Sequence, residues 1–361
     1  MAQSGLPMSS TFSSRRAADP CADRFLTALA GGLPSGCPGE FPVVVAVSGG
    51  ADSVGLLVAA TRLFSKAVVV AHAEHDLRDE AATDRRFVEE LATTLGLPCV
   101  WRKLAVRDDR SRQGEGLEAR ARRLRYAFLA EVAHDRGARH VLVAHTADDQ
   151  AETILHRILR GTGIAGLAGM RRARELCDGV ALVRPLLDVP RADVRRFLEE
   201  AGTGWQEDAT NADTARARNF LRHEVLPRCV AGPYPAASAA LLRVGARAAA
   251  SAGLAAEATA FLLDRVSERQ ADGGLVIRAR ELVGLGPALR AELIVALWQR
   301  EHWPRRDLTA AHVEAVAGML VAAAAAAPAP SAIELPGGLR ASVEAGGRLS
   351  VRPTGRRATP G

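Results

Sequence analysis

The stretch PVVVAVSGGADS, residues 42–53, decides the fold of this chain. Its first half is a short apolar run rich in β-branched residues, which is typical of a strand buried in a parallel sheet. Its second half, from Ser48 to Ser53, leads into a helix predicted over residues 51–64. Glycines let an anion approach the backbone closely, and a helix start offers unpaired N–H groups and a positive dipole end. The stretch therefore predicts a strand–loop–helix unit that binds phosphate.

Apolar strands and helices alternate downstream, with connections too long for hairpins. This alternation predicts an α/β fold built on a doubly wound, Rossmann-like parallel sheet. Ligands of such sheets bind beyond the carboxyl ends of the strands, which is where the polar clusters of this sequence fall. The predicted strands are 42–47, 66–73, 99–104 and 139–144, and the predicted helices are 51–64, 79–95, 116–136, 148–159, 190–202 and 214–230.

The length of 361 residues predicts two or three domains. We expect a helical region and a small C-terminal β segment to follow the α/β domain, with the Ala- and Pro-rich run 322–331 as a linker between them. A short helix is expected over 21–30. The predicted divisions are a flexible N-terminal extension 1–38, a nucleotide-binding domain 39–232, a helical domain 233–327, a β segment 331–353 and a disordered tail 354–361.

Charge and cysteine content narrow the class of protein. The formal net charge is +6, and all basic residues except Lys66 and Lys103 are arginines. Codon bias of a GC-rich genome explains that ratio, but the resulting surface still suits bidentate phosphate contacts. The five cysteines include no C-x-x-C pair, which argues against a disulfide framework or a zinc site. No apolar run is long enough for a membrane helix, so we expect a cytoplasmic protein.

Asp52 is unexpected in a pure phosphate-binding loop, because its carboxylate repels phosphate. It is explained if it binds a Mg²⁺ ion that also contacts the phosphates. The loop lacks the lysine and the spacing of the common P-loop. A serine-capped strand-to-helix turn without a ligand is the alternative interpretation.

The S-G-G-x-D-S pattern resembles the signature of the PP-loop ATP pyrophosphatases, which cleave ATP between the α and β phosphates. Further segments, in order along the chain, resemble the tRNA(Ile)-lysidine synthase family. The sequence departs from the family pattern at Asp76, where the family has Gly, and at Thr146, where it has a second His. The matching segments are HAEHDLR (72–78), Glu118 with Arg122, Arg125 and Tyr126, AHTADDQAET (144–153), RPLL (184–187), Asp208 with Asn211, and Arg218-Asn219 with Arg222, Leu226 and Pro227.

Several of these segments also have simpler interpretations. His72 and His75 could form a zinc pair or be ordinary loop residues. Glu118, Arg122 and Arg125 share a helix face and could be a solvated ion-pair ladder. Arg218 and Arg222 could pair with Glu224 or Asp208 instead of a ligand.

The resemblance implies an enzyme, a carbon–nitrogen ligase. The wobble cytidine of tRNA(Ile) with a CAU anticodon would be adenylated by ATP with Mg²⁺, and L-lysine would then displace AMP. Either Asp149 or His145 is expected to help deprotonate the lysine amine, and a homodimer is allowed. The implied catalytic residues are Asp52 (also the Mg²⁺ ligand), Arg122, His145 and Asp149; the nucleotide-binding residues are Ser48, Gly49, Gly50, Ala51, Asp52, Ser53 and His72; and the substrate- or tRNA-binding residues are Glu152, Arg218, Asn219 and Arg222.

Two other functions stay open at the level of the sequence. A tRNA 2-thiolase on the same scaffold would need catalytic cysteines, and only Cys99 and Cys229 lie near the matching segments. A non-catalytic RNA binder would suit the arginine-rich surface, but it would have no use for a metal-binding aspartate in the loop.

Overall fold

The computed structural model describes residues 20–35, 37, 40–64, 67–75, 81–109, 111, 114–207, 217–271, 273–304, 307–325 and 330–354. The expectations for residues 1–19 and for the tail after 354 lie outside this part of the chain. The chain forms two compact units, Met1–Ala246 and Arg247–Gly361. The division falls within one long helix rather than at the predicted boundary between 232 and 233.

The first unit contains the predicted α/β sheet. Its six strands lie in the order β3-β2-β1-β4-β6-β5, and every neighbouring pair is parallel except β5 with β6. The doubly wound fold and its four predicted strands are confirmed. The strands are β1 Val43–Ala46, β2 Val68–His75, β3 Cys99–Leu104, β4 His140–Leu142, β5 Ala173–Cys177 and β6 Val180–Val183.

Helices cover both faces of this sheet, and they begin and end within about two residues of the predicted bounds wherever these are described. A π-helical turn, Leu221–Val225, interrupts the last predicted helix of the unit. The helices are α1 Pro20–Gly31, α2 Ala51–Phe64, α3 Ala81–Thr94, α4 Leu117–Asp135, α5 Ala147–Leu159, α6 Ile164–Leu167, α7 Arg191–Glu200, α8 Ala217–Phe220 and α9 Leu226–Ala231.

Helix α1 corrects the expectation of a flexible extension up to residue 38. Leu29 is fully buried, and the Phe25 ring stacks on the Phe197 ring at 4.4 Å between centroids. The short helix expected here is therefore part of the core, because its apolar face packs against α7 and α2.

Strand β1 places the phosphate-binding loop at the centre of the sheet. Val43, Val44 and Val45 are all fully buried, as expected for a strand covered on both faces. Gly55 of α2 lets α7 approach closely, because a Cβ atom at this position would lie 2.4 Å from Cγ1 of Val194. This packing fixes the start of α2 beside the start of α7.

The β5–β6 hairpin is absent from the sequence prediction. Cys177 pairs with Val180 across the two-residue turn Asp178-Gly179, in which Gly179 has a φ of +70°. Asp-Gly between two short strands is a known hairpin signal. The hairpin adds an antiparallel edge to the sheet beyond β4.

The second unit is an antiparallel sheet packed against helices, and it corrects the prediction of separate helical and β segments. β7 and β8 lie within the range predicted to be helical, and β8 pairs with β11. The Ala-rich run predicted as a linker is helical up to Ala325, in keeping with the high helix propensity of alanine. The sheet order is β7-β8-β11-β10-β9. The elements are α10 Ala237–Val266 (shared with the first unit), β7 Ser267–Arg269, β8 Leu275–Arg278, α11 Pro287–Arg300, α12 Ala310–Ala325, β9 Ala332–Leu335, β10 Leu339–Glu344 and β11 Arg348–Pro353.

Candidate active site

A cleft of about 660 Å³ opens at the carboxyl ends of β1, β2 and β4. This is the edge at which doubly wound sheets bind ligands, and the volume is in the range of small-molecule sites. The cleft brings together most of the residues predicted from the sequence. The predicted residues that line it are Ser48, Gly50, Ala51, Asp52, Ser53, His72, His145, Asp149 and Arg222.

The loop 48–53 has the shape of an anion-binding turn. Gly49 has a φ of +98°, a left-handed conformation that favours glycine. The Ser53 hydroxyl donates to the Gly50 carbonyl at 2.9 Å and accepts from the Ser48 N–H at 3.1 Å. Helix α2 then begins at Ala51, and the first-turn N–H groups of a helix have no partner within it. The loop is therefore held in place from within and leaves backbone donors at its helix end.

The segment Trp205–Glu207 closes one side of the loop. The Gln206 N–H donates to the Gly49 carbonyl at 2.9 Å, and all three residues line the cleft. Asp208 and Asn211, which belong to the same sequence motif, lie outside the described residues.

Arg191, at the start of α7, joins two of the predicted site residues. Its Nε donates to Asp52 Oδ2 at 2.9 Å, and its Nη2 donates to Asp149 Oδ1 at 3.0 Å. Its backbone N–H donates to Asp148 Oδ2 at 2.8 Å. Sequence reasoning missed Arg191. The one available signal was its position four residues after the RPLL segment, at the start of a predicted helix.

Arg222 extends the same network into the core. Its Nε donates to Glu152 Oε1 at 2.6 Å and its Nη2 to Glu152 Oε2 at 2.8 Å, which is a bidentate pair. The same Nη2 also donates to Asp149 Oδ1 at 2.9 Å. Glu152 is 2% exposed, and burial raises its pKa although Arg222 opposes the shift. Arg222 lies in the π-helical turn, a feature often found at functional sites.

Asp149 has donors on both carboxylate oxygens. Oδ2 accepts from the Thr146 N–H at 2.9 Å and from the Thr146 hydroxyl at 3.0 Å, while Oδ1 accepts from Arg191 and Arg222. Burial opposes ionisation, but Arg191, Thr146, His145 and Arg222 together lower the pKa of Asp149. This carboxylate therefore orients two arginines. Thr146, which replaces the family's second histidine, is the fully buried N-cap of α5.

His72 is a buried, neutral acceptor. Its Nδ1–H donates to the Val47 carbonyl at 2.8 Å, and its buried Nε2 has no partner among the described residues. Burial lowers the pKa of His72. The side chain of His75 lies outside the described residues. Within them, no group of three or more His, Cys, Asp or Glu side chains could hold a metal ion.

His145 is neutral as well. Burial lowers its pKa to about 3, and Arg184 and Arg125 add to the effect against the opposing charge of Asp149. Its buried Nδ1 has no hydrogen-bond partner in the described part of the chain. A group with so low a pKa is a weak base at neutral pH, so His145 suits a hydrogen-bonding role better than the uptake of a proton.

Asp52 retains one carboxylate oxygen suited to a cation. Oδ2 accepts from Arg191, whereas the buried Oδ1 has no hydrogen-bond partner among the described residues. Burial raises the pKa of Asp52, partly offset by Arg191. Mg²⁺ in nucleotide sites is usually bound by one or two carboxylates together with phosphates and water. The residues present fit a Mg²⁺ that arrives with a nucleotide.

Arg122 lies apart from the residues that line the cleft. It is exposed, and its guanidinium lies over the Tyr126 ring at 5.0 Å, whereas Arg125 lines the cleft instead. Among the described residues neither arginine forms an ion pair with Glu118, so the ion-pair ladder is not observed. Arg218, on α8 next to Asn219, donates to Thr153 Oγ1 at 2.6 Å.

Known proteins are similar to this chain along most of its length. A PP-loop domain model matches residues 22–229. A tRNA(Ile)-lysidine synthase of Salinispora arenicola is 40% identical over 87% of this chain and 91% of its own length. The corresponding protein of Rhodopseudomonas palustris is 40% identical over 80% of this chain and 83% of its own length. That of Thermus thermophilus is 43% identical over 69% of this chain, a match that spans only 45% of the relative.

Among solved structures, a U34-tRNA thiolase of Methanococcus maripaludis has a TM-score of 0.53 at 12% identity, covering 63% of this chain and 79% of its own. At this identity the likeness concerns the fold alone. In the described residues no helix is both long and apolar enough to cross a bilayer. Cys37, Cys99, Cys177 and Cys229 are free thiols.

Proposed function

The chain belongs to the tRNA(Ile)-lysidine synthase family of PP-loop proteins, and from this premise we propose that it ligates lysine to the wobble cytidine of tRNA(Ile). The reaction consumes ATP, forms a carbon–nitrogen bond at C2 of the base, and releases pyrophosphate and AMP. The modified anticodon then reads AUA instead of AUG. Because the match covers less than half of the Thermus relative, the activity of the whole protein is part of the proposal.

One observation supports this function most directly. Asp52 of the phosphate loop and Asp149 of the α5 segment, which are far apart in sequence, meet on Arg191 at the edge of the sheet. A nucleotide held by the loop 48–53 therefore lies next to the α5 segment and its histidine. This arrangement suits group transfer at the phosphate nearest the nucleoside.

The first step attaches AMP to the base. The O2 atom of the wobble cytidine attacks the α-phosphorus of ATP, and the bond to pyrophosphate breaks. A Mg²⁺ ion held by Asp52 Oδ1 would neutralise the negative charge of the phosphates. The backbone donors at the start of α2 bind phosphate oxygens, and the His72 Nε2 lone pair offers an acceptor for the amino group of adenine.

The second step attaches lysine. The ε-amine attacks C2 of the activated cytosine, the bond from C2 to the AMP oxygen breaks, and the amine loses a proton. Reaching C2 requires the base to be splayed out of the anticodon stack. Since Asp149 already has four donors, we assign it the orientation of Arg191 and Arg222, and a role for it or for His145 in proton transfer stays a prediction.

The partners follow from this reaction. They are tRNA(Ile) with a CAU anticodon, L-lysine and ATP with Mg²⁺, in a cytoplasmic setting. Arg218 and Arg222 donate to Thr153 and Glu152 of α5. We propose that they, together with Asn219, contact the RNA or close over the nucleotide. A homodimer stays a prediction.

The test is incorporation of labelled lysine into unmodified tRNA(Ile) with ATP and Mg²⁺. We expect wild-type protein to incorporate lysine and Asp52→Asn to lose most of this activity. Asp178→Asn is the matched control, because the same chemical change in an exposed Asp-Gly turn gives Asn-Gly, which suits a hairpin equally well. Pyrophosphate release without lysine incorporation would favour another PP-loop modification, such as thiolation. RNA binding without pyrophosphate release would favour a non-catalytic binder.

A further inference from the structure

A cluster of four arginines surrounds Tyr126 of α4, and the mechanism above does not use it. The guanidinium groups of Arg174, Arg122 and Arg125 lie 4.7, 5.0 and 5.5 Å from the centre of the Tyr126 ring. Arg184, which follows β6, is the fourth member, since its charge also lowers the pKa of Tyr126. Helix α4 and the β5–β6 hairpin thus contribute two arginines each. We call this group the Tyr126 arginine cluster.

No carboxylate of the described residues forms an ion pair with any of the four arginines. The contrast with Arg123, their neighbour in sequence, is clear, because Arg123 contacts both Glu115, at 2.9 Å, and Asp109. The four positive charges are therefore uncompensated within the described residues.

Arg184 is the most unusual member because it is only 3% exposed. Its Nη1 donates to the Arg171 carbonyl at 2.8 Å, and its buried Nε has no hydrogen-bond partner among the described residues. A buried charge without a counter-charge is costly. Such an arrangement is explained if an anionic ligand supplies the missing charge.

The electrostatics are consistent with an anion site. Burial and the neighbouring guanidinium groups of Arg174 and Arg122 lower the pKa of Arg184. The same groups lower the pKa of Tyr126 although its burial acts in the opposite direction. A group of like charges in a partly enclosed site creates a strong positive potential.

The strand order indicates which anion would bind here. His72 lies on β2, on one side of the phosphate-binding β1, whereas the hairpin of Arg174 and Arg184 lies on the other side, beyond β4. With neighbouring strands about 4.8 Å apart, β6 is roughly 10 Å from β1. If adenine occupies the His72 side, the cluster lies beyond the phosphates, on the side from which the second substrate approaches. Arg125 and His145 line the cleft and connect the two regions.

We propose that the Tyr126 arginine cluster binds a backbone phosphodiester of single-stranded RNA, next to the base that reacts at the nucleotide. Arginine recognises phosphate oxygens with paired donors, and a contact of this kind fixes the position of the RNA without reading its sequence. An unpaired base splayed into the cleft would place its adjoining phosphate nearby. The inference rests on the proposed function, because that function makes RNA the second substrate.

The test compares Arg174→Gln and Arg184→Gln with wild type in binding an unmodified tRNA(Ile) transcript at several salt concentrations, without ATP. We expect each change to raise the dissociation constant about tenfold, as for loss of a charge-assisted hydrogen bond. Each should also reduce the slope of log K against log salt by about 1. Each substitution should weaken the binding of a transcript with a substituted wobble base by the same factor as it weakens the binding of the unmodified transcript. ATP affinity should stay within about twofold of wild type because the nucleotide lies elsewhere.

Arg172→Gln is the matched control, because Arg172 lies just before the same hairpin but already pairs with Asp188. Its tRNA affinity and salt slope should equal those of wild type. Because Arg184 is buried, the melting temperature of Arg184→Gln is measured alongside its tRNA affinity. If Arg184→Gln unfolds, the tRNA affinity of Arg174→Gln, at a half-buried position, decides whether the cluster binds RNA.

Unchanged tRNA affinity and salt slope in Arg174→Gln would overturn the inference. So would a loss of ATP affinity without a loss of tRNA affinity, which would assign the cluster to the nucleotide. RNA binding is measured here without catalysis. A wild-type protein that binds the transcript through these arginines but adds no lysine would contradict the proposed function and leave this inference standing.

Discussion

Replacing Arg222 by alanine should destabilise the first unit strongly, because it removes the partner of a buried carboxylate. Glu152 is 2% exposed and accepts two hydrogen bonds from Arg222, at 2.6 and 2.8 Å. Asp149 loses one of its donors at the same time. The change leaves a charge in the core without compensation, which is the costly way to disrupt an ion pair.

The expected loss is about 3–5 kcal/mol in the free energy of unfolding, the usual cost of removing one partner of a buried pair. For a unit of this size, each 1 kcal/mol lowers the melting temperature by about 2–4 °C. The melting temperature should therefore fall by roughly 6–20 °C. Partial access of water to Arg222 favours the lower half of that range.

The loss should depend on pH in a definite direction. Burial raises the pKa of Glu152 in the folded protein, and removing Arg222 raises it further. A carboxyl group with a raised folded-state pKa stabilises the fold below its unfolded-state pKa, and this contribution is lost as pH rises through the folded-state value. The difference between variant and wild type should therefore be smaller at pH 5 than at pH 8.

The assay is thermal or denaturant unfolding of both proteins at the two pH values. Arg228→Ala is the control, since Arg228 is 80% exposed and pairs only with Glu224 among the described residues. An exposed pair of this kind contributes less than about 1 kcal/mol. Equal melting temperatures for Arg222→Ala and Arg228→Ala, or a larger difference at pH 5 than at pH 8, would refute the reasoning.

Three further predictions concern packing, protonation and thiol chemistry. Gly55→Ala should lower the free energy of unfolding by about 1–3 kcal/mol, because the new Cβ would lie 2.4 Å from Cγ1 of Val194. Adding Val194→Ala to the same chain should restore part of the loss, as measured by denaturant titration. His145→Gln should leave the shape of the pH profile of lysine incorporation between pH 6 and 9 unchanged, because burial lowers the pKa of His145 to about 3. An inflection in the wild-type profile that disappears with the substitution would contradict this prediction. Replacing Cys99 and Cys229 by serine should keep lysine incorporation within about threefold of wild type, because both thiols are partly covered and burial raises the pKa of Cys99 to about 11. Loss of activity with an unchanged melting temperature would favour a thiolase.

Local patterns were sufficient to predict the elements that form the nucleotide side of the site. The apolar run before Ser48, the glycine pair and the helix over residues 51–64 all appear where the sequence placed them. Strand and helix periodicity are local properties. Ligands of parallel sheets bind beyond the carboxyl ends of the strands, and this rule places the loop, His72 and His145 at one cleft. The resemblance to a known family supplied the chemistry.

The sequence predictions failed where structure depends on partners distant in the chain. Strand β8 pairs with β11, which lies 70 to 76 residues further along the chain, and β7 joins the sheet by pairing with β8. The short pattern around residues 267–278 gives no sign of this pairing. Helix α1 was assigned to a flexible extension because nothing local shows that Phe25 will meet Phe197. Each of these elements is stabilised by non-local burial rather than by its own propensity.

The sequence by itself therefore determined the phosphate-binding loop, the order of strands and helices around it, and the candidate residues at the strand ends. Only the tertiary structure decided how those residues are paired. It placed Arg191 between Asp52 and Asp149, joined Arg222 to Glu152, and gathered arginines from α4 and the β5–β6 hairpin around Tyr126. The reason is physical: charges interact through space, over distances set by packing, and one-dimensional spacing does not report which of them will be neighbours.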